Sequence, residues 1–289
     1  MSTATQAIFD AWSPPFWLTV SVIVVSVVYV RGWLAIRRTR PAYFTIERLA
    51  SFVVGMAVLW LAIASPIDGF ADTLLGAHMV QHFLLMSAVP PLVLLGAPVV
   101  PLLRGLPRWS VQRIAGPLIG LRWLRAVGHF LAGPIVSWLA FNAVFLGWHL
   151  PKAYDYALRN ENVHDFEHIC FLVTALLFWR VVLNPWPSSA RYNGWMVLVY
   201  LLSADIVNTA LSAFLAFCDR PIYQFYVSGP NPFHVSPLSD QVAAGVIMWV
   251  LNSTVFLVPA MLLTVRLAGF SSPPRRPSRI ATGTVPRFL

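Results

Sequence analysis

The chain has 289 residues, of which 58% are hydrophobic and only 11% are charged. Soluble globular proteins carry about 25% charged residues, so this composition excludes an ordinary soluble domain and indicates a helical membrane protein. A formal net charge of +9 would suggest a nucleic-acid partner in a soluble protein. Here the basic residues lie in loops between apolar runs, a placement typical of membrane proteins, so the charge does not indicate a nucleic-acid partner.

Apolar runs of about 20 residues predict seven transmembrane helices, since an α-helix of that length crosses the hydrocarbon core. No basic leader or cleavage motif precedes the first run, so we expect it to stay as an anchor. The predicted spans are 16–36, 48–66, 73–95, 130–149, 165–184, 195–217 and 242–267. They form one predicted membrane domain (16–270), between an extracytoplasmic N-terminus (1–15) and a disordered, basic cytoplasmic tail (271–289).

Two local features modify this simple pattern. Pro90-Pro91 is expected to kink or end the third span, because proline lacks the amide donor that a helix needs. The stretch 107–127 mixes arginines with Trp and Leu and is interrupted by Gly116-Pro117. That mixture is typical of helices that lie on the membrane surface.

The loop charges predict the orientation of the chain. With seven spans, all but Lys152, Arg159 and Arg220 of the 20 basic residues fall on one side. All but Glu47 and Asp205 of the 11 acidic residues map to the opposite side or to span ends there. The positive-inside rule then places the N-terminus outside and the C-terminus in the cytoplasm. The cationic surface is expected to contact anionic membrane lipids.

The histidines predict a buried site near the outer side. His78 and His82 lie one turn apart on one face of the third span, and His164 and His168 repeat that spacing at the start of the fifth. Ionisable groups inside a membrane helix are costly and usually functional. Every histidine except His129 maps to the outer side. The other two outer-side histidines are His149, at the end of the fourth span, and His234, in the loop before the seventh.

This set of side chains favours a metal site over isolated core histidines. Imidazole suits copper, zinc, nickel and iron, and carboxylates bind metals or orient the rings. Thioethers would favour Cu(I), although each methionine alone suits core packing or lipid contact as well. The predicted ligands are His78, His82, His149, His164 and His168. Supporting or alternative ligands are Asp72, Glu167, His234, Met79, Met86 and Met248.

Other chemistry remains open. The sequence HDFEH matches the H-x-x-E-H pattern of a zinc peptidase group, in which His164 and His168 would bind zinc and Glu167 would activate water. Histidines from facing helices could instead hold a haem. Asn142, Asn208 and Asn252 are expected to form hydrogen bonds between helices. Asp205, a lone carboxylate within the sixth span, would have to be protonated, paired or part of a proton path.

Four motifs follow one another along the chain: HMVQHFLLMSAVPPLVLLGAP, WHLPKAYDYAL, HDFEH and DQVAAGVIMW. With these motifs in this order, residues 45–265 resemble the CtaG family of cytochrome c oxidase assembly factors, the type associated with caa(3) oxidases. The resemblance implies a non-enzymatic, multi-pass protein of the bacterial inner membrane that helps a haem-copper oxidase to mature by handling copper. The family's characteristic polar positions fall on His78, His82, His149, His164, Glu167, His168, Asp240 and Gln241.

The leading hypothesis is therefore an assembly factor that binds copper and delivers it to cytochrome c oxidase subunits. It adds Asp240 to the five histidines as a predicted ligand, and Gln241 to the supporting residues. An intramembrane zinc hydrolase is the first alternative, and a bis-histidine haem protein that transfers electrons is the second. The sequence leaves open both the metal and whether the protein is a homo-oligomer.

Overall fold

A computed structural model describes residues 5–6, 9, 12, 14–188 and 192–269, and the regular structure in this part of the chain is helical. The predicted tail, 271–289, lies outside these residues, as does most of the predicted N-terminal segment, 1–15. In chain order the helices are α1 (Phe16–Arg37), α2 (Ile46–Ala64), α3 (Ile67–Ala71), α4 (Leu75–Leu95), α5 (Val99–Gly105), α6 (Arg122–Leu131), α7 (Pro134–Trp148), α8 (Pro151–Leu158), α9 (Glu161–Leu183), α10 (Gly194–Phe217), α11 (Gln224–Ser228) and α12 (Pro237–Leu267). Three short helical turns, Arg108–Ser110, Val111–Ala115 and Gly116–Gly120, lie between α5 and α6.

Six helices in the described ranges are long and apolar enough to cross a membrane: α1, α2, α4, α9, α10 and α12. The fourth predicted span, 130–149, differs from its prediction. It is divided between α6 and α7, which meet at a bend of 68°, and the two count as a seventh span only if they are taken together. The break falls at Pro134, whose missing amide donor suits the first position of a helix.

Helix α4 continues through Pro90-Pro91 to Leu95, where the sequence predicted a kink or an end. The turn before the prolines, Leu84–Ala88, is a wider π-helical turn. In an α-helix, the amide of residue 90 would bond to the carbonyl of Met86, and proline cannot supply that bond. The indole Nε1 of Trp179 supplies it instead, by donating to the Met86 carbonyl at 3.0 Å. A side chain of α9 therefore satisfies the carbonyl group that proline leaves without a donor, and α4 continues past Pro90-Pro91.

Helix α4 is the central element of the bundle, since it packs against α2, α9 and α12. Two apolar cores flank it. One is built mainly from α4, α9, α10 and α12 with part of α7, and the other from α1 and α2 with the segment around Phe44. Helices α1 and α5 cross so closely that a Cβ on Gly32 would lie 1.8 Å from the Pro101 carbonyl oxygen. Only glycine fits that crossing.

Polar side chains join the helices in the apolar interior. Ser87 donates to the amide oxygen of Asn252 at 2.6 Å, and the Asn252 amide donates to Asn208 at 3.1 Å. These bonds link α4, α12 and α10, which confirms the predicted role of Asn208 and Asn252. Asn142 differs, because its amide donates to the Trp138 carbonyl in its own helix at 2.8 Å.

Candidate metal centre

Five histidines from three parts of the chain converge at one end of α4. The rings of His78 and His82 have centroids 4.3 Å apart, and those of His164 and His168 are 4.2 Å apart. Across the helices, His78 lies 5.1 Å from His164, and His82 lies 5.7 Å from both His168 and His149. His164 is half-buried and the other four are buried. The five rings that the sequence predicted as ligands therefore form a single cluster.

Local structure explains how these side chains are oriented. Helix α9 begins after Asn160, whose side-chain oxygen accepts from the amide of Val163 at 3.3 Å and caps the first turn. His164, Glu167 and His168 then follow at i, i+3 and i+4, which places them on one face of the helix. The start of α4 is fixed by another helix, since Asp240 of α12 accepts from the amides of Leu75 and Gly76.

The closest pair in the cluster is His78 and His82, whose Nε2 atoms lie 2.7 Å apart. The Tyr226 hydroxyl donates its one proton to the carbonyl oxygen of Ala71 at 2.8 Å. The hydroxyl oxygen of Tyr226 also lies 3.3 Å from Nδ1 of His78. We assign the proton of His78 to Nδ1, because a hydroxyl that donates to Ala71 can only accept from the ring. The Nε2 atom of His78 is then left with its lone pair facing His82.

The ring of His149 is fixed in a similar way. Its Nδ1 donates to the carbonyl oxygen of Phe145 at 2.7 Å, one turn back along α7. This bond sets the tautomer, so the buried Nε2 atom carries a lone pair, and no described group donates to it. A histidine ligand typically has one nitrogen fixed by a protein group in this manner and presents the other to the metal.

Many buried polar atoms in this region have no hydrogen-bond partner among the described residues. Such an atom costs about 1–3 kcal/mol, so a group of them is unusual in a protein interior unless a ligand satisfies them. A metal ion bound by the ring nitrogens and the carboxylate would satisfy several at once. The atoms are His82 Nδ1, His149 Nε2, His164 Nε2, both ring nitrogens of His168, and Glu167 Oε1, which lies 3.7 Å from His82 Nε2.

Two sets of three side chains come within reach of a single ion. In each set the ligand atoms lie within 4.8 Å of one another; one set is His78, His82 and His168, and the other is His78, His164 and Glu167. With metal–ligand bonds of about 2.0–2.1 Å, the ligand atoms of a tetrahedral site are about 3.4 Å apart. Small side-chain rotations would therefore close either set around a metal.

Three tyrosines cover the cluster, and none of them was predicted from the sequence. Tyr154 of α8 is buried with its ring 5.3 Å from that of His78, and Tyr223 donates to the His149 carbonyl at 3.1 Å. Tyr226 of α11 bonds to His78 as described above. Asp155 holds α11 in place by accepting from the amides of Gln224 and Phe225. The only sequence signal for this cover was the motif around Tyr154, next to His149.

Acidic side chains lie beside the cover. Asp68 accepts from the side-chain amide of Gln81 at 2.7 Å, and Gln81 also donates to the Ala62 carbonyl. Asp72 caps the C-terminal end of α3, in the short link before α4. Partial burial and the neighbouring carboxylate of Asp68 raise the pKa of Asp72 to about 6. A carboxylate with this pKa is still mostly charged at neutral pH, so the approach to the cluster attracts cations.

Several other predicted ligands have partners elsewhere. Both carboxylate oxygens of Asp240 accept from backbone amides, and Gln241 accepts from the amide of Ile222 at 2.6 Å and donates to the Arg220 carbonyl at 3.1 Å. His234 is exposed in the turn before α12. A metal role for these residues stays a prediction. Met79, Met86 and Met248 are buried in the apolar core.

The fold and the cluster define a class: a multi-pass helical membrane protein with a buried polyhistidine site. Residues 27–269 match the family of the cytochrome c oxidase caa3 assembly factor, Caa3_CtaG, and the chain belongs to that family. The resemblance inferred from the motifs is confirmed, and the match extends beyond residues 45–265 at both ends.

Mycobacterial proteins are among the chain's relatives. Uncharacterized proteins of Mycobacterium bovis and Mycobacterium tuberculosis are each 28% identical over 249 residues, and one of Mycobacterium leprae is 25% identical over 246 residues. These alignments cover 83–85% of the chain and 37% of each relative, so the chain spans little more than a third of their length. No solved structure matches the chain.

Proposed function

We propose that this caa3 assembly factor binds copper at the histidine cluster and delivers it to cytochrome c oxidase subunits in a bacterial inner membrane. The observation that carries the proposal is the convergence of buried ring nitrogens, several without partners, from α4, α9 and the end of α7. Protein interiors rarely gather several such atoms in one place, because each costs about 1–3 kcal/mol. A metal cation is the ligand that neutral imidazoles would bind.

Copper fits this set of donors better than the other common metals. Neutral imidazole nitrogens dominate the cluster, and a given nitrogen site binds copper more tightly than other divalent first-row metals. A haem-copper oxidase also requires copper ions during its assembly. In the orientation predicted from the loop charges, the cluster lies near the outer side of the membrane, and the basic loops would contact anionic lipid on the inner side.

A haem is a poorer candidate for steric reasons. Two axial imidazoles must lie on opposite faces of a wide, flat macrocycle, with the iron between them. The rings of His78, His82 and His168 are packed with centroids 4.3–6.2 Å apart and at large angles to one another. Closely packed rings at these angles suit a single ion better than a wide macrocycle, so we propose a bare metal ion.

Zinc-dependent hydrolysis is the second candidate, and one observation favours it. Glu167 lies with His78 and His164 in a set of two imidazoles and one carboxylate, which is a ligand set found in catalytic zinc sites. Such a site needs an open position for water and access for a substrate. The zinc hypothesis predicts about one zinc ion per chain and turnover that a chelator abolishes.

A deletion strain tests the biological role. We expect low oxidase activity without the protein, a partial recovery when copper is added, and full recovery with the wild-type chain. The double variant His78→Ala/His82→Ala should behave like the deletion. The matched control is His129→Ala, which removes an exposed histidine on α6 and should restore activity fully. Normal oxidase in the deletion strain would overturn the assembly role for this chain.

Metal analysis of the purified protein separates the two candidate functions. Copper in the wild-type chain that is lost in His78→Ala/His82→Ala supports copper handling. Equal copper in the two proteins would contradict the site. Zinc at one per chain together with hydrolytic turnover would replace the copper proposal with the enzymatic one.

A further inference from the structure

We propose that the cluster offers one copper ion two mutually exclusive positions. The inner position is formed by His78, His82 and His168, and the outer position by His78, His164 and Glu167. The ion moves between them by exchanging ligands while it stays bound to His78. This inference rests on the proposed function, because it describes how the same site would load and release its copper.

The first support is the geometry of the two sets. Each brings three ligand atoms within 4.8 Å of one another, and both include His78. His78, His82 and His168 are all buried, so every ligand of the inner set is enclosed. In the outer set Glu167 is buried as well, and His164 is half-buried. One shared ligand therefore joins an enclosed set to a set that is accessible through His164.

The second support is the tautomer of the shared ligand. Nδ1 of His78 donates to the Tyr226 hydroxyl, whose own proton goes to the carbonyl of Ala71. A neutral imidazole fixed in this way has one free lone pair, on Nε2. One lone pair binds one ion at a time, so the two positions cannot both be filled through His78. The structure thus favours a single mobile ion over a pair of bound ions.

The third support is the difference between the two sets of donors. The inner set contains three imidazoles, and His149 lies next to it with an unpartnered Nε2 atom and a ring 5.7 Å from that of His82. The outer set replaces one imidazole with the carboxylate of Glu167, a harder donor that suits Cu(I) less well. Copper(I) should therefore rest at the inner position and pass through the outer one.

Charge around the outer position supports its role in entry and exit. The exposed carboxylate of Asp165 follows His164 directly in the chain. Its negative charge would attract a cation from the aqueous side. No change of oxidation state is involved, because each move keeps the bond to His78, breaks two metal–ligand bonds and forms two others.

The test uses the purified full-length chain in lipid nanodiscs, loaded with Cu(I) without oxygen and then exposed to a strong Cu(I) chelator. We expect the wild-type chain to hold one copper ion. His164→Ala/Glu167→Gln removes the outer ligands, so it should still hold one ion but release it at least ~10-fold more slowly. His82→Ala/His168→Ala removes the inner ligands, so it should bind copper about 10–100-fold more weakly and release it faster. His78→Ala should lose both positions.

The outcomes separate this inference from the proposed function. Two copper ions per wild-type chain, or unchanged release from the outer variant, would overturn the two-position inference and leave copper binding in place. A wild-type chain that binds no Cu(I) would overturn the proposed function itself. If the double variant fails to fold, Glu167→Gln alone can replace it, because it changes one ligand with little change in size. This single variant should also release copper more slowly than the wild type.

Discussion

Nε2 of His78 and Nε2 of His82 lie 2.7 Å apart, one turn from each other within α4. Because Tyr226 fixes the proton of His78 on Nδ1, the contact requires either a proton on the facing nitrogen of His82 or a cation shared by the two rings. If His82 carries its proton on Nε2, its buried Nδ1 atom is an acceptor without a described partner. A metal ion bound by the two rings would be the shared cation and would remove the need for that proton. This pair is therefore the centre of the proposed site.

Tyr226→Phe tests whether this hydroxyl orients His78. The variant removes the acceptor for Nδ1, so the tautomer is no longer fixed, and copper affinity should fall about 10–100-fold. Stability should fall by about 1 kcal/mol through the lost bond to Ala71. Copper titration and thermal unfolding of the purified protein measure the two effects.

Tyr223→Phe is the matched control for that change. Its hydroxyl donates to the backbone carbonyl of His149, and it bonds to no ring nitrogen among the described residues. The control should lose a similar amount of stability and keep its copper affinity. Equal affinity losses in both variants would show that the tyrosines act through general packing, and the orienting role of Tyr226 would then be wrong.

Asp240→Asn separates two roles for a residue that the sequence predicted as a ligand. The carboxylate accepts from two amides, those of Leu75 at 2.6 Å and Gly76 at 3.0 Å. An asparagine can accept only one of them and turns an NH₂ group towards the other, which should cost about 1–2 kcal/mol. Copper per chain should be unchanged if the residue anchors α4 and does not bind metal.

The exposed acid Asp219 provides the control for charge alone. Asp219→Asn should change neither the melting temperature nor the copper content. A complete loss of copper from Asp240→Asn, in protein that melts like the wild type, would restore Asp240 to the ligand set.

The sequence was sufficient to predict the membrane class and the helix face that each closely spaced pair of histidines shares. Both follow from local rules: the length of an apolar run, and the 3.6-residue repeat that places His78 beside His82 and His164 beside His168. The cover of the cluster could not be predicted, because Tyr154 and Tyr226 come from short helices that meet only in the folded chain. Nothing local indicates that contact.

The same limit applies to polar residues in the spans, whose partners could not be predicted from the sequence. Asp205 was a lone carboxylate in the sequence, and its partner is Ser253, whose hydroxyl donates to it at 2.8 Å across the α10–α12 contact. The role of Asp240 was equally hidden, since a carboxylate in the first turn of α12 could face either the histidines or the amides of α4. Long-range packing decides both cases, and one sequence contains no direct signal for it.

Gly245→Ala tests the contact between α10 and α12. An added Cβ would lie 2.7 Å from the amide nitrogen of Ala216 and 2.8 Å from the carbonyl oxygen of Ser212, so the helices must move apart. We expect a loss of about 1–3 kcal/mol, the usual cost of overpacking, measured as a lower melting temperature.

Gly147→Ala is the control for the same substitution within a helix. A Cβ there meets nothing within 4 Å, and alanine is a better helix former than glycine by about 0.5–1 kcal/mol. This variant should be as stable as the wild type or slightly more stable. A similar loss in both variants would mean that the crossing at Gly245 is looser than the structure describes.

Copper itself should stabilise the protein through the histidine cluster. A ligand that binds only the folded state at 100 times its dissociation constant adds about 2.7 kcal/mol, so the melting temperature should rise with Cu(I) and return when a chelator removes it. The shift should vanish in His78→Ala/His82→Ala, because both proposed positions lose their shared ligand. His129→Ala removes an exposed histidine outside the cluster and should keep the full shift. If copper raises the melting temperature of the double variant as much as that of the wild type, the stabilising copper binds elsewhere on the chain and the assignment to this cluster is wrong.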